Sequence, residues 1–368
     1  MGYKIRDMAR NSIISFGGNH PFGLDFGDRS LKLVALGTAL VPFRRGSRVR
    51  AFGEVAVPDG LSVNGVITEP QKMSELIRAL IRGTRGRVRG RSVVASLPEG
   101  KTFIKVIEAP AEGVELGAAV RTAAAENFPL PPEALSLDWH TIGGIERGGK
   151  KFHRVVIGAA PLELVASYTQ IIEDAGLVPV ALEIEAMATS RALLPLEEAG
   201  GPFVILDIGA THTSLIFIND GAVELTMNIP ISGVAITQTI AQALSVPFEK
   251  AEETKHECGL DLKRCEGKLR QVLSATIADM TKQIRNALRF YQSRAKESRK
   301  IQNIILCGGG GNFRKIDAVL SQALRIKVRR GNPWTNVAPP RDSRLTNAGL
   351  GYATAIGLAL RGDAEHET

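Results

Sequence analysis

From Phe22 to Val34 apolar positions alternate with small or polar ones on both sides of Asp25-Phe26-Gly27-Asp28, the period of two strands joined by a hairpin. Runs of this kind at 22–36, 49–57 and 91–107 predict strands. Between them Met73, Leu76, Ile77 and Leu80 recur at helical spacing, predicting a helix from Gln71 to Arg82. A second helix is expected from Val114 to Phe128, stopped by Pro129-Leu130-Pro131-Pro132. Strands at 135–142 and 152–159 and a helix from Pro161 to Ala175 follow, then a strand over Val178 to Ile184 and a helix from Glu185 to Leu194. Gly200-Gly201-Pro202 breaks the pattern and predicts a boundary between lobes. Beyond it come another hairpin and a helix-rich segment from Gly233 to Arg299. Its last helix, 266–297, carries Leu269, Val272, Leu273, Ile277, Met280, Ile284, Leu288 and Tyr291 on one face, the stripe of a helix that meets a core. Ile301 to Cys307 reads as a buried strand, followed by Gly308 to Gly311 and a helix from about Phe313 to Leu324. Ala348 to Leu360 predicts a packed terminal helix, and Arg361 to Thr368 a polar tail.

Two of these hairpins read as copies. Gly23 to Leu33 and Ile205 to Leu215 each run from an apolar strand through Asp-x-Gly and small polar residues into a second strand. The glycine allows a tight turn whose backbone N–H groups form a nest suited to phosphate. The aspartate supplies a hard oxygen for Mg²⁺, usually through water. A single Asp-x-Gly turn means little, because both residues favour turns. Two of them, one in each half, predict two lobes closing on one nucleotide.

Composition narrows the class. Apolar residues make up 44% of the 368, yet no segment nears the ~18 uninterrupted apolar residues of a membrane span. Met1 to His20 has no continuous apolar region and is not a secretion signal, so a cytoplasmic location is expected. The net charge of +8 is concentrated in Arg44, Arg45, Arg48 and Arg50 and in Arg82, Arg85, Arg87, Arg89 and Arg91. Such clusters suit solvated hairpins first, an anionic membrane surface second and nucleic acid a distant third, since interleaved aromatics are missing. Cys258, Cys265 and Cys307 contain no CxxC pair and give no disulfide framework. His256 with Cys258 and Cys265 offers a metal-ligand set, against the plainer expectation of ordinary thiols.

The glycine run rules out one nucleotide fold and argues against another. A Walker A loop needs Gly-Lys-Ser/Thr after its glycines, and Asn312-Phe313 follows here. A dinucleotide fingerprint needs glycine where Phe313 stands and an acid where Val328-Arg329-Arg330 lies. What remains is a platform for a base or ribose. The order hairpin, inserted segment, hairpin, helical segment, glycine turn, terminal helix resembles the actin/Hsp70/sugar-kinase superfamily. Within it the chain resembles the PilM-type proteins of type IV pilus assembly, relatives of the division protein FtsA. The resemblance rests on Gly23 to Gly27 with Lys32-Leu33-Val34, on Ala124 to Pro131, on Ala175 to Glu185, and on Leu206 to Thr213. Ile284-Arg285, Phe290-Tyr291 and Leu306 to Gly310 complete it.

That resemblance implies an α/β two-lobed actin-like ATPase fold with an FtsA-like inserted subdomain. Its expected divisions are 21–105 for the first lobe, 106–181 for the insertion, 182–199 for the return and 200–232 for the second lobe. The helical subdomain is expected at 233–300, the strand and glycine turn at 301–335 and the terminal helix at 336–362. It also implies ATP and Mg²⁺ between the lobes. Asp25 and Asp207 are then expected to hold Mg²⁺ through water, with Gly27, Gly209, Ala210 and Thr211 against phosphate. Asp28, Arg29, Ser30 and His212 complete the hairpin tips, and Lys32 follows on a strand whose alternation lets it point either way. Gly308, Gly309 and Gly310 are expected against adenine or ribose. Glu252 and Lys255 sit where the superfamily contacts ribose and base, or else form a surface i,i+3 pair contributing about 0.2–0.5 kcal/mol. Thr213 is expected to pack, and Gln283 and Arg285 to be solvated. Glu185 is the candidate water-orienting carboxylate and Glu183 its alternative. One departure stands out: the family has small hydroxyl residues where this chain has Asp28-Arg29. A carboxylate beside a γ-phosphate repels it unless a metal or Arg29 intervenes.

The implied role is a scaffold in the inner-membrane platform of a pilus or related secretion machine, cytoplasmic and peripheral to the membrane. A groove beside the insertion takes the N-terminal peptide of a PilN-like membrane protein, and the chain is at most a slow Mg-dependent ATPase. The rivals are an FtsA- or MreB-like filament protein, which self-associates, and a sugar-kinase-type phosphotransferase. The first usually ends in an amphipathic membrane helix, unlike Asp363 to Thr368, and the second needs a catalytic aspartate in the first lobe, where none stands between Asp59 and Asp138.

Overall fold

The architecture is taken from a computed structural model, which describes residues 20–41, 44–195, 202–294 and 300–367. The Gly200-Gly201 part of the expected lobe boundary lies outside these residues. In chain order lobe 1 begins with β1 (Phe22–Phe26), β2 (Ser30–Val41) and β3 (Arg44–Ala56), then a small hairpin of β4 (Ser62–Val63) and β5 (Val66–Ile67). Helix α1 (Pro70–Gly83), β6 (Arg85–Gly86) and β7 (Ser92–Leu97) follow. The inserted unit holds β8 (Phe103–Pro110), α2 (Leu116–Asn127), β9 (Leu135–Arg147) and β10 (Lys150–Pro161). Helix α3 (Leu162–Asp174), β11 (Val178–Ile184) and α4 (Glu185–Leu193) return to lobe 1.

Lobe 2 opens with β12 (Phe203–Ile208), β13 (Thr213–Asn219) and β14 (Ala222–Ile229). Helices α5 (Gly233–Leu244), α6 (Phe248–Cys258), α7 (Lys268–Val272) and α8 (Ser274–Arg294) lead to β15 (Asn303–Cys307), α9 (Ile316–Leu324) and β16 (Lys327–Arg330). Helices α10 (Ser343–Ala348) and α11 (Ala353–Glu367) come last.

The two lobes repeat one topology. Lobe 1 runs β11-β7-β1-β2-β3 with β6 added at its edge, and lobe 2 runs β16-β15-β12-β13-β14. In each, the first three strands are parallel and the hairpin and its third strand are antiparallel. The inserted unit is a separate sheet, β8-β10-β9. Helix α2 packs on it through Val120 against Ala109, Val155 and Ile157.

Alternation along β1 explains how lobe 1 is filled. Phe22, Leu24 and Phe26 face α1 and α3, joining Met73, Ile77, Tyr168 and Ile171 in one core. Gly23 faces the other way and lets α11 approach; a Cβ there would lie 2.2 Å from the carbonyl of Ala355. Lobe 2 buries Leu206, Ile208 and Phe217 against the helical segment. A third core joins the lobes: Val34 and Leu36 of lobe 1 meet Ile205, Ile216 and Ile305 of lobe 2 around Ile356 of α11. Each such side chain contributes about 1.5–3 kcal/mol by leaving water.

Four expectations change. The strand expected over 91–107 is two strands in different sheets, because Pro98 cannot donate to a ladder and Glu99–Lys101 form a 3₁₀ turn. The helix expected over 266–297 is broken: Cys265 and Glu266 have positive φ, and Leu273 leaves helical geometry at φ −90°, ψ 5°. Its stripe is buried as expected, with Leu269, Leu273, Met280, Ile284 and Leu288 in the lobe 2 core. The terminal helix starts at Ala353 and continues through Glu367, so the polar tail is helical. The helix after the glycines starts at Ile316, behind a 3₁₀ turn over Gly309–Asn312.

Candidate functional site

The two Asp-x-Gly hairpins are geometric copies. In the first, Gly27 N–H donates to Ser30 O at 3.1 Å; in the second, Gly209 N–H donates to His212 O at 3.0 Å. In both, an added Cβ would lie 2.9 Å from that acceptor, so a side chain is excluded. The N–H of each glycine closes its own turn, which leaves the tip residues to offer backbone donors. The second hairpin is braced on the N-terminus of α5, where Gly233 N–H bonds Gly209 O at 2.9 Å and Val234 N–H bonds Ala210 O at 3.0 Å.

Between the hairpins lies a cavity of about 840 Å³. It brings together Asp25, Gly27, Asp28, Arg29, Ser30 and Lys32 of lobe 1, and Asp207, Gly209, Ala210, Thr211 and His212 of lobe 2. Glu185, Glu252, Lys255, Gly308, Gly309 and Gly310 also line it. Every residue expected at the site therefore reaches one cleft, apart from the alternative carboxylate, Glu183.

Its floor is acidic. Asp25 is buried, and burial raises its carboxyl above the usual range against the pull of Lys32 and of Ser96, whose Oγ lies at 3.2 Å. Burial likewise lifts Asp207 to about 6, opposed by a hydrogen bond from the Cys307 thiol and assisted by the charge of Asp25. Glu185 is driven well above its ordinary value by burial and then by Asp25, Glu99 and Asp207. Lys32 points inward, with Nζ 2.5 Å from Ser30 Oγ and 3.3 Å from Glu54 Oε1. Carboxyls this crowded are stabilised by an added cation. Among the described residues no three His, Cys, Asp or Glu side chains gather closely enough to hold a metal ion. Asp25 and Asp207 offer hard carboxylate oxygens of the kind that hold a hydrated Mg²⁺ through water.

On the lobe 2 wall Lys255 Nζ bonds Glu252 Oε2 at 2.7 Å, Thr237 Oγ1 at 2.7 Å and Gly233 O at 3.2 Å. Lys255 is buried. The pair is thus fixed into the cleft wall and is not a loose surface bridge. Gly308 has φ 75°, and an added Cβ would lie 2.2 Å from Asp207 Oδ1, so only glycine brings β15 this near the aspartate. At Gly309 an added Cβ meets nothing within 4 Å, leaving bare backbone.

Several expectations are corrected. Arg29 does not shield Asp28: its guanidinium pairs with the exposed Asp59. Asp28 instead accepts Ser62 Oγ at 2.7 Å, Gly65 N–H at 3.0 Å and Thr211 Oγ1 at 2.8 Å. Glu183 is taken up by Arg191, 2.6 Å away, and by Arg361 at 3.5 Å, outside the cleft. Cys258 and Cys265 are joined by a disulfide, which removes the metal set, and His256 turns to Glu252 at 3.1 Å. Thr213 packs as expected, buried with its hydroxyl on Ile231 O. Gln283 and Arg285 stay on an exposed face of α8, on Asp279 and Ala323 O.

Sequence reasoning missed Glu99. Its carboxylate accepts Ala186 N–H at 3.1 Å, and burial raises it to about 7. The available signal was Pro98-Glu99-Gly100, a turn sequence inside an expected strand.

A smaller hollow of about 110 Å³ lies between the inserted sheet and lobe 1. Leu97, Ile104, Trp139 and Met187 give it an apolar wall, and Asp138 and Arg361 a charged rim.

The profile of the family described as type IV pilus assembly protein PilM matches residues 23–363. This chain belongs to the PilM family. A chain of the solved PilM-PilN type IV pilus biogenesis complex superposes with a TM-score of 0.77 at 28% identity. The match covers 93% of this PilM-family chain and 98% of that one. Cell division protein FtsA of Escherichia coli (strain K12) is 24% identical over 229 residues, 55% of this chain and 54% of FtsA. FtsA of Buchnera aphidicola subsp. Baizongia pistaciae is 23% identical over 202 residues, 48% of each. The chain thus spans about half the length of these curated relatives. MreB5 of Spiroplasma citri, solved bound to ADP, shares the fold, with a TM-score of 0.55 at 12% identity over 95% of this chain and 98% of that one. The fold of this PilM-family member is therefore the two-lobed actin-like one. Among the described residues no helix is long and apolar enough to cross a membrane.

Proposed function

We propose that this PilM-family protein is a nucleotide-responsive scaffold of a type IV pilus assembly machine, working at the cytoplasmic face of the inner membrane. The observation that carries this reading is the match over nearly the whole chain to one partner of a PilM-PilN complex. An adenine nucleotide with Mg²⁺ sits between the hairpins in this reading, ATP being the form the family implies. Bound there, its Mg²⁺ would supply the positive charge that the crowded carboxyls lack. Asp25 and Asp207 orient the water around the ion, Lys32 faces the phosphates, and the bare backbone at Gly309 faces the nucleoside. Glu185 is the group that would orient water in any hydrolysis, which is at most slow in this reading.

The partner is the N-terminal peptide of a PilN-like membrane protein, laid in the hollow beside the inserted sheet. The apolar wall there suits two or three anchoring side chains, and the Asp138–Arg361 rim suits the polar groups of a short peptide. Nucleotide acts on this hollow through the third core, which joins both lobes to the inserted unit at Ile104 and Val156. Fluorescence anisotropy with a labelled peptide from the partner's N-terminus tests the reading. Saturable binding that shifts with nucleotide is expected; no binding with or without nucleotide contradicts it.

A further inference from the structure

The two hairpin tips meet through side chains. Thr211 Oγ1 of lobe 2 donates to Asp28 Oδ2 of lobe 1 at 2.8 Å. The other oxygen of Asp28 accepts Ser62 Oγ at 2.7 Å and Gly65 N–H at 3.0 Å. These last donors come from the β4–β5 hairpin, whose turn Asn64-Gly65 has φ of 50° and 75°. Positive φ at both central residues is what a two-residue hairpin of this type requires, and Asn-Gly is the pair that adopts it most readily. The turn is itself fixed, because Tyr168 OH donates to Gly65 O at 3.0 Å and a Cβ at Gly65 would strike Pro98 at 2.4 Å. Three donors from two lobes therefore hold one carboxylate in place.

That carboxylate stays charged. Burial pushes Asp28 up, but the bonds from Ser62, Gly65 and Thr211 together with His212 outweigh it and bring it below the usual carboxylate range. The adjacent Arg29 does not offset the charge, because it is committed to Asp59. Burial lowers His212 below its ordinary value, and the charge of Asp28 opposes the fall.

We propose that Asp28 occupies the place between the hairpins where the terminal phosphate of a nucleoside triphosphate would lie, so that the cleft selects a nucleoside diphosphate. This rests on the nucleotide reading above. A third phosphoryl group must separate Asp28 from Thr211 and bring its own charge against an ionised carboxylate, and like charges in contact are a strong basis for rejection. A diphosphate ends short of the tips and leaves their bond intact. Asp28 then bridges the hairpins as a terminal phosphate otherwise would. Closure of the lobes needs no triphosphate, and no terminal phosphate is present to be hydrolysed.

Isothermal calorimetry with Mg²⁺-ADP and Mg²⁺-ATP on the wild type, Asp28→Ser and Asp28→Asn tests the proposal. The wild type is expected to prefer ADP by about tenfold or more. Both substitutions should tighten ATP binding and close that gap. Asn keeps the size of the side chain and removes its charge, so it also separates repulsion from simple obstruction. Equal affinities in the wild type, or a preference for ATP, overturn the diphosphate selection and leave the nucleotide reading standing. Failure of the folded wild type to bind either ligand overturns both. The wild-type comparison alone decides the matter if neither variant folds.

Discussion

Glu99 accepts the backbone N–H of Ala186 at 3.1 Å, so a turn of lobe 1 is fastened to the first turn of α4 beside the cleft. A carboxylate there complements the helix dipole, yet burial raises its pKa from 4.5 to about 7, hydrogen bonds from Thr226 and Ala186 oppose the rise and Asp207 adds to it. A folded pKa above the unfolded one means the protonated form stabilises the fold. That contribution is complete below pH 4.5 and is lost as pH rises through about 7. Glu99→Gln should therefore stabilise the ligand-free protein at pH 8, by up to about 3 kcal/mol, with little effect at pH 4.5. Thermal unfolding at the two pH values checks this; an equal effect at both contradicts it.

The three cysteines should separate chemically. Cys307 is fully buried and its thiol lies well above its ordinary pKa through burial and Asp207. Cys258 and Cys265 are paired. A thiol reagent should find no reactive group in the native oxidised protein and two after gentle reduction. Closing so short a loop contributes about 2–3 kcal/mol in the chain-entropy account, so reduction should also lower the unfolding midpoint. Two reactive thiols before reduction contradict the pairing.

Arg154 ties the inserted sheet to lobe 2. Its guanidinium reaches Glu224 at 2.7 Å and Asp220 at 3.3 Å, and Tyr291 OH donates to Glu224 at 2.7 Å. Arg154→Ala leaves Glu224 short of its charged partner and should cost about 1–3 kcal/mol. Chemical denaturation measures it; a change within about 0.5 kcal/mol, typical of surface sites, would show the bridge to be inert.

Met187 lines the hollow beside the inserted unit and is only partly buried. Met187→Glu should weaken binding of the partner's N-terminal peptide by about tenfold or more. Anisotropy titration decides this. Unaltered affinity would move the peptide site elsewhere.

The hairpins were legible because Asp-x-Gly turns are local: alternation fixes the strands, and the glycine is forced by a contact within four residues. Helices with a clear stripe, such as α1 and α8, were legible for the same reason. The two-sheet split of 91–107 turns on Pro98, whose effect depends on which sheet each half joins, a tertiary fact. Asp28–Thr211 and Glu99–Ala186 are contacts between distant segments, and one sequence carries no sign of either partner. The disulfide escaped for a different reason: its cysteines are only seven residues apart, and they meet because the chain turns back through Gly259 at positive φ.

The central claim is that a nucleotide is held between the two aspartate hairpins. Calorimetric titration of Mg²⁺-ADP into the wild type and into Asp207→Ala tests it most directly. The wild type should bind saturably and the variant about 10–100-fold more weakly, the usual effect of removing a group that orients a metal's shell. The variant should remain folded, because the lost carboxyl is one that burial holds at about 6 and that gains little from its surroundings. Equal binding by both proteins, or none by the folded wild type, would contradict the account.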